Sequence, residues 1–318
     1  MSKVGKEAQK LATGLRAVKV IALDIDGTLL PYGQLSNRQY TDRVLAGLGA
    51  MPFPPMVTIA TGRSLYGAHR VAEDLLLPIS REMVLNGGRV VMSRDPKGPV
   101  VMAQLPVDIA GQIIDVAINS GAHTIVYENQ TESTSKDIRI VSHRALGWSA
   151  KRDRPSKDFN QMVIDWQKGT LAPSTPISAV LVEPGQTEEL PELLRKLEAI
   201  PRCKVRIIDN RFIELVDDRY SKERALEELA TKWGITPGEV MTIGDSDVDA
   251  GMLQWAGVGI ASRDASPAAQ KAADFISPHG PGDVVVNAIK LLTRAQLETS
   301  HRTPLESNQE DTLELCAS

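Results

Sequence analysis

Residues 20–30 read Val-Ile-Ala-Leu-Asp-Ile-Asp-Gly-Thr-Leu-Leu, and this stretch decides the fold. Val20 to Leu23 form an unbroken apolar run, the pattern of a strand buried on both faces. The run ends in two carboxylates, Asp24 and Asp26, followed by Gly27 and Thr28. In an open parallel sheet, ligands bind beyond the carboxyl ends of the strands. Acids two residues apart point to the same side while the chain stays extended. Their mutual repulsion needs an answer, and a divalent cation is the simplest one. A lone Asp-x-Asp more often caps a turn, with the glycine supplying an unusual backbone angle. The hydrophobic lead-in and the Gly-Thr-Leu exit make this one far more specific.

Working outward, the same alternation recurs. Ser36, with Gln39 three residues later, predicts a capping box opening a helix to about Met51. Met56 to Ala60 is a second apolar strand, ending in Thr61-Gly62-Arg63-Ser64, with a helix beyond it to about Leu77. Met83 to Leu85 is a third strand, ending in Asn86-Gly87-Gly88. Strands alternating with helices predict an α/β fold, a Rossmann-like parallel sheet. From Arg89 to Arg211 the pattern changes. Short alternating strands are expected at 100–104, 123–128, 137–142, 177–183 and 204–208, with helices at 107–119, 158–167 and 187–199. A polar turn at 129–136 and a charged loop at 150–158 complete an inserted α+β unit. The strand–helix pattern resumes with an amphipathic helix at Lys222–Trp233, whose Ala225, Leu226, Leu229 and Trp233 share one face. A strand follows at 239–243, then a helix at 247–255 and a strand at 257–261. A helix at 266–273, a strand at 274–277 and a last helix at 283–293 end the pattern. The expected domains are an N-terminal extension at 1–17, a core of 18–88 and 212–293, a cap of 89–211 and a mobile tail at 294–318.

The chain has 318 residues, enough for two buried cores, and 36 basic against 40 acidic residues for a net charge of -4. No basic block marks a nucleic-acid partner. No apolar stretch approaches the ~20 residues of a membrane span. Cys203 and Cys316 cannot make a disulfide framework or a zinc site, which predicts a reducing, cytoplasmic setting. The first 19 residues are basic but short of arginine and serine for organelle targeting, and carry no secretory signal.

Three further motifs sit where the first predicts them. Thr61 ends the second strand, where a hydroxyl and free backbone N–H groups entering a helix would hold an anion; capping that helix is an equal reading. Arg63 beside it suits a substrate phosphate or the surface. Lys222 lies in a helix's first turn, capped by Ser221, where a cation opposes the helix dipole. Carboxylates and a phosphate nearby would repay that position. Gly244-Asp245-Ser246-Asp247-Val248-Asp249 follows a strand and opens a helix, with Asp247 the expected cap. Asp245 would face the cleft of Asp24. Asp249, a turn further on, would hold Lys222 or a metal-bound water.

In this order and spacing, Asp24-x-Asp26, Thr61, Lys222 and Gly244-Asp245-x-x-x-Asp249 resemble the motifs of the haloacid dehalogenase (HAD) superfamily. The insertion between Thr61 and Lys222 resembles the α/β cap of its Cof-like branch, subfamily IIB. Asn86-Gly87-Gly88 resembles the turn before that cap, and Phe212-Ile213-Glu214-Leu215 the return to the core. The resemblance spans roughly residues 18–293. It departs at Val248 and Ser262, where the branch commonly has asparagine.

The resemblance implies a Mg²⁺-dependent phosphatase of small phosphorylated metabolites. Asp24 would be the nucleophile, forming an aspartyl-phosphate. Asp26 would protonate the leaving oxygen and then activate water. Mg²⁺ would be held by Asp24, the Asp26 backbone carbonyl and Asp245, with Asp249 nearby. Thr61 and Lys222 would hold the phosphoryl oxygens, with Thr28, Gly62, Arg63 and Asn86 as further phosphate or substrate contacts. The cap would close over the site; Glu128, His143 and Trp148 are its polar candidates. No protein partner is predicted. Two alternatives remain: a phosphomutase of hexose phosphates, resembling phosphomannomutases, and a phospho-ligand sensor without turnover.

Overall fold

The computed structural model describes residues 11–34, 36–63, 68, 71–72, 82–88, 90–92, 100–101, 105–128, 138–142, 177–184, 190–208 and 212–301. The chain divides into two compact units, Met1–Lys97 with Ser221–Ser318, and Gly98–Tyr220.

The first unit is built on β1 (Val20–Leu23). It lies between β2 (Met56–Ile59) and β11 (Val240–Gly244), parallel to both, and β12 (Val258–Ala261) and β13 (Phe275–Ile276) extend the sheet in the order β13-β12-β11-β1-β2. The side chains of β1 are buried on both faces, as its unbroken apolar run requires. Helices cover the sheet: α1 (residues 11–17), α2 (Arg38–Gly49), α5 (Lys222–Trp233), α6 (Ala250–Trp255), α7 (Pro267–Ala272) and α8 (Asp283–His301). Val44 and Leu48 of α2 and Val285, Ile289 and Leu292 of α8 join Ile21, Leu23 and Val57 in one core. Each such side chain, fully buried, contributes about 1.5–3 kcal/mol.

The second unit holds an antiparallel sheet in the order β7-β6-β8-β10-β9. Its strands are β6 (His123–Glu128), β7 (Ile138–Ser142), β8 (Ile177–Glu183), β9 (Cys203–Ile208) and β10 (Phe212–Asp217). Against it pack α3 (Val107–Asn119) and α4 (Leu190–Glu198), through Ile109, Ile113, Ala117, Leu193 and Leu197. These residues recur every four positions, which places them on one helix face.

Several expectations are corrected. The first helix is capped by Asn37, not Ser36: the Asn37 side chain accepts the Gln39 N–H at 3.0 Å from an extended backbone. Strand β10 pairs with β8 and β9, so the chain returns to the first unit at Ser221 rather than at Phe212. Residues 11–17 are no loose extension, because Leu15 and Val18 are buried in the main core. Helix α8 does not stop at Thr293. Ala295 is buried, Gln296 donates to the Phe53 carbonyl at 2.8 Å, and Glu298 pairs with Arg16 at 3.4 Å. The strand expected at 100–104 is described only as β5 (Val100–Val101), and in the first unit β3 (Met83–Leu85) pairs antiparallel with β4 (Val90–Met92). The helix expected at 158–167, the loop segments 129–136 and 150–158, and the side chains of Glu128, His143 and Trp148 lie outside the described residues.

A tight approach seats α5. Gly88 has φ 101°, and a Cβ there would lie 2.1 Å from the Ser221 carbonyl oxygen and 2.7 Å from the Lys222 nitrogen. Both neighbours are backbone, which cannot rotate away. Gly88→Ala is therefore expected to destabilise the protein by about 1–3 kcal/mol from backbone strain alone, read as a lower urea midpoint at unchanged m-value.

Candidate active site

The site forms where three strands end together. Leu23 pairs with Ile59 on one side and Ile243 on the other. The Asp24 N–H continues the ladder to the Ile243 carbonyl at 3.0 Å, and Ala60 N–H reaches the Leu23 carbonyl at 2.8 Å. Asp24, the next residue, and Thr61 and Asp245, each two residues on, therefore leave the sheet at the same end.

Lys222 reaches into this end from the first turn of α5. Ser221 caps that helix by accepting the Arg224 N–H at 3.5 Å. The Lys222 ammonium donates to Asp24 Oδ1 at 2.6 Å and to Asp249 Oδ1 at 2.5 Å. These groups are almost sealed from solvent: relative exposure is 1% for Lys222, 4% for Asp24 and 0% for Asp249. Asp249 Oδ2 accepts from Ser246 Oγ at 2.7 Å, Ser246 N at 3.0 Å and Asp245 N at 3.1 Å. Ser246 rather than Asp247 thus anchors this turn, because its short hydroxyl can reach back to Asp249. One carboxylate, Asp249, ties the loop carrying Asp245 to the lysine facing Asp24.

Asp245 is itself held by two hydroxyls. Thr28 Oγ1 donates to Oδ1 at 3.0 Å, and Tyr32 OH donates to Oδ2 at 2.7 Å. Thr28, expected on phosphate, is thus engaged with a carboxylate. Arg63 differs from expectation in the same way. Its guanidinium grips Asp26 with both arms, at 2.7 and 2.6 Å, and also donates to the Gln34 carbonyl at 2.6 Å. A planar fork matches a carboxylate as well as it matches a phosphate, and Asp26 is the anion within reach. Thr61 is buried and its Oγ1 accepts the Arg63 N–H at 3.1 Å, turning the chain just past β2. Gly62 is exposed, with open space around it. Asn86 lies in a short 3₁₀ turn with Gly87 and Gly88; its side chain is outside the described residues. Sequence reasoning missed Tyr32 and Ser246. Pro31 and Gly33 signal only a turn around Tyr32, and nothing in its spacing points to Asp245.

Asp24, Asp245 and Asp249 each offer one carboxylate oxygen, and these three atoms lie within 4.8 Å of one another. Within this group three carboxylates face one ammonium, leaving two negative charges without a counter-charge. The effect shows in the proton affinities. Burial pushes the Asp24 carboxyl well above the usual range; Lys222 pulls it back, and the charges of Asp249 and Asp245 add to the rise. Burial and Asp249 likewise raise Asp245 to about 6, against the Tyr32 and Thr28 hydrogen bonds and Lys222. Burial alone would lower Lys222, but Asp24 and Asp249 outweigh it and hold the ammonium charged. Both partners thus hold a proton more tightly than usual, the lysine because it sees two anions, and Asp24 because it is buried and shares its cation with a second acid. An oxygen-only, doubly negative group fits a hard divalent cation such as Mg²⁺. Asp249 already accepts four donors, the Lys222 ammonium among them, whereas each Asp245 oxygen accepts a single neutral hydroxyl, so Asp24 and Asp245 are the side chains best placed to hold it. The Asp26 side chain is turned to Arg63, so only its backbone carbonyl is left for that role.

Residues 21–289 match the family model of the haloacid dehalogenase-like hydrolases. The chain belongs to that family. It is accordingly an enzyme of the hydrolase class, and its antiparallel α+β insertion is the arrangement of the Cof-like branch. A phosphoglycolate phosphatase from Methanoculleus marisnigri is 45% identical over 87 residues, 27% of this chain and 37% of that protein. A 5-amino-6-(5-phospho-D-ribitylamino)uracil phosphatase from Bacillus subtilis is 24% identical over 284 residues, 85% of this chain and 96% of its own length. Among solved structures, a haloacid dehalogenase-like hydrolase from Bacteroides thetaiotaomicron shares the fold with a TM-score of 0.67 at 23% identity, covering 86% of this chain and 98% of that one. Among the described residues, no helix is long and apolar enough to cross a membrane.

Proposed function

We propose that this hydrolase is a Mg²⁺-dependent phosphatase of small phosphomonoesters, working through an aspartyl-phosphate at Asp24. The observation that carries the reading is the buried Asp24–Lys222–Asp249 chain with Asp245 beside it. A structural ion pair needs one acid; this site places three around one lysine. The phosphatase names of the relatives support the same class of substrate.

Asp24 attacks phosphorus in line, and the P–O bond to the alcohol breaks as the new one forms. Asp26 gives its proton to the departing oxygen, then takes one from the water that attacks the aspartyl-phosphate. That attack releases inorganic phosphate, restores the Asp24 carboxylate and leaves Asp26 protonated for the next cycle. Lys222, kept charged by Asp24 and Asp249, holds a phosphoryl oxygen, and the Thr61 hydroxyl another. Arg63 holds Asp26 until a substrate arrives. Bound Mg²⁺ supplies the positive charge that lets a phosphate dianion approach Asp24. The choice of leaving group we assign to the inserted unit, and the setting to the cytoplasm. Hydrolysis of a generic aryl phosphate and of members of a metabolite panel, dependent on Mg²⁺, is the test. No release of phosphate from any of them would end this reading, and an isomerised hexose phosphate would replace it with a mutase.

The charge count also gives a pH dependence. In metal-free protein the raised Asp245 value, from 3.8 to about 6, contributes stability that is present below pH ~4 and lost as pH rises through 6. The cation competes with that same proton. At 100-fold excess over its Kd, Mg²⁺ should stabilise the protein by about 2.7 kcal/mol at pH 7.5. The rise in Tm it causes should shrink steadily below pH 6. A thermal shift that is the same at pH 5 and pH 7.5 would refute the assignment.

A further inference from the structure

Tyr32 does something no motif assigns to it. It stands in the turn Pro31-Tyr32-Gly33-Gln34, closed by the Gln34 N–H on the Pro31 carbonyl at 3.3 Å, with Gly33 at φ 78°. Such a turn needs a glycine at its third position, and it fixes where the second residue points. Gln34 is pinned from outside by Arg63 at 2.6 Å. Tyr32 as a residue is 53% exposed, yet its hydroxyl ends on Asp245, whose exposure is only 6%. The route between them exists because residue 27 has no side chain. A Cβ on Gly27 would lie 2.6 Å from Tyr32 Cε2 and 2.2 Å from Asp245 Oδ2. The ring therefore fills the space beside Gly27 and covers the carboxylate.

Thr28 holds the other oxygen of the same carboxylate at 3.0 Å. Two neutral hydroxyls, one on each oxygen, fix the carboxylate's plane without cancelling its charge. That is what a cation ligand requires of its surroundings: orientation and an intact negative charge. An arginine or lysine in either place would fix the plane and also neutralise it.

We propose that Tyr32 is a positioning residue of the divalent-cation site, orienting Asp245 through its hydroxyl and shielding it with its ring. The inference rests on the cation site described under the proposed function. Outer hydrogen bonds of this kind change metal affinity by roughly 10–100-fold. Tyr32→Phe removes the hydroxyl and keeps the ring. Its Kd for Mg²⁺, measured by calorimetry without substrate, is expected to rise by roughly 10–100-fold. Its Tm in EDTA should match the wild type, and kcat at saturating Mg²⁺ should change far less than the Mg²⁺ concentration needed to reach half of it. Tyr32→Ala, which also removes the shield, should bind Mg²⁺ more weakly still. Wild-type protein that binds Mg²⁺ alongside a Tyr32→Phe variant that binds it equally or more tightly would overturn this inference and leave the site standing. Wild-type protein that binds no Mg²⁺ would overturn both.

Discussion

Asp24→Asn is expected to remove turnover almost completely, by a factor on the order of 10⁴ or more in kcat. An amide oxygen is too poor a nucleophile to form the acyl-phosphate, and no other carboxylate in the group is free to replace it. Asp249 is engaged at both oxygens, and Asp245 is bound by two hydroxyls. The informative part is what stability does. Asn is nearly isosteric and can still accept the Lys222 proton, while one of three crowded acids loses its charge. In EDTA the variant should therefore melt at the wild-type temperature or above it. With Mg²⁺ its gain in Tm should be smaller, since one ligand charge is missing. Inactivity with a lowered Tm would mean that Asp24 serves the fold, and a variant retaining a tenth of wild-type activity would dismiss it as the nucleophile.

The parts of this site that were legible in the sequence are those where local chemistry conflicts with local structure. An apolar strand that ends in two acids, and a lysine in the first turn of a helix, are both unfavourable without a partner. Each conflict pointed to a group elsewhere in the chain, and Asp24, Lys222 and Asp249 do meet. What remained hidden were choices between equivalent partners. Arg63 reads as a phosphate contact or a surface residue, and nothing in its position two residues past Thr61 points to the carboxylate it grips, Asp26. Ser246 and Asp247 are both good caps one residue apart, and the serine was selected by its reach to Asp249.

Fold boundaries were hidden for a related reason. Leu15 and Ala295 lie in segments too short or too polar to show a period, and only packing against the core reveals them. Strand β10 alternates as any strand would, so nothing local says which of two sheets it joins. The insertion as a whole was visible because its alternating strands differ from the unbroken runs of a parallel sheet.

Lys222→Met is the substitution expected to cost most stability. Methionine matches the stem in length, so packing is largely kept and the change isolates the charge. The variant leaves Asp24 and Asp249 buried beside Asp245 without their cation. Removing one partner of a buried ion pair typically costs about 3–5 kcal/mol, because the remaining charge stays desolvated. For a unit of this size that is a fall in Tm of roughly 6–20 °C in EDTA. Two further measurements separate this cause from a simple packing defect. Mg²⁺ should stabilise Lys222→Met more than it stabilises the wild type, since three negative charges rather than two then lack a partner. In a double-mutant cycle, Asp249→Asn should cost less in the Lys222→Met background than in the wild type, because the amide oxygen can still accept the Asp245 and Ser246 N–H groups while no longer carrying an unpaired charge. Additive effects in that cycle, or a Tm unchanged by Lys222→Met, would show that the ammonium does not bind the site together, and the electrostatic basis for an aspartyl-phosphate here would fall with it.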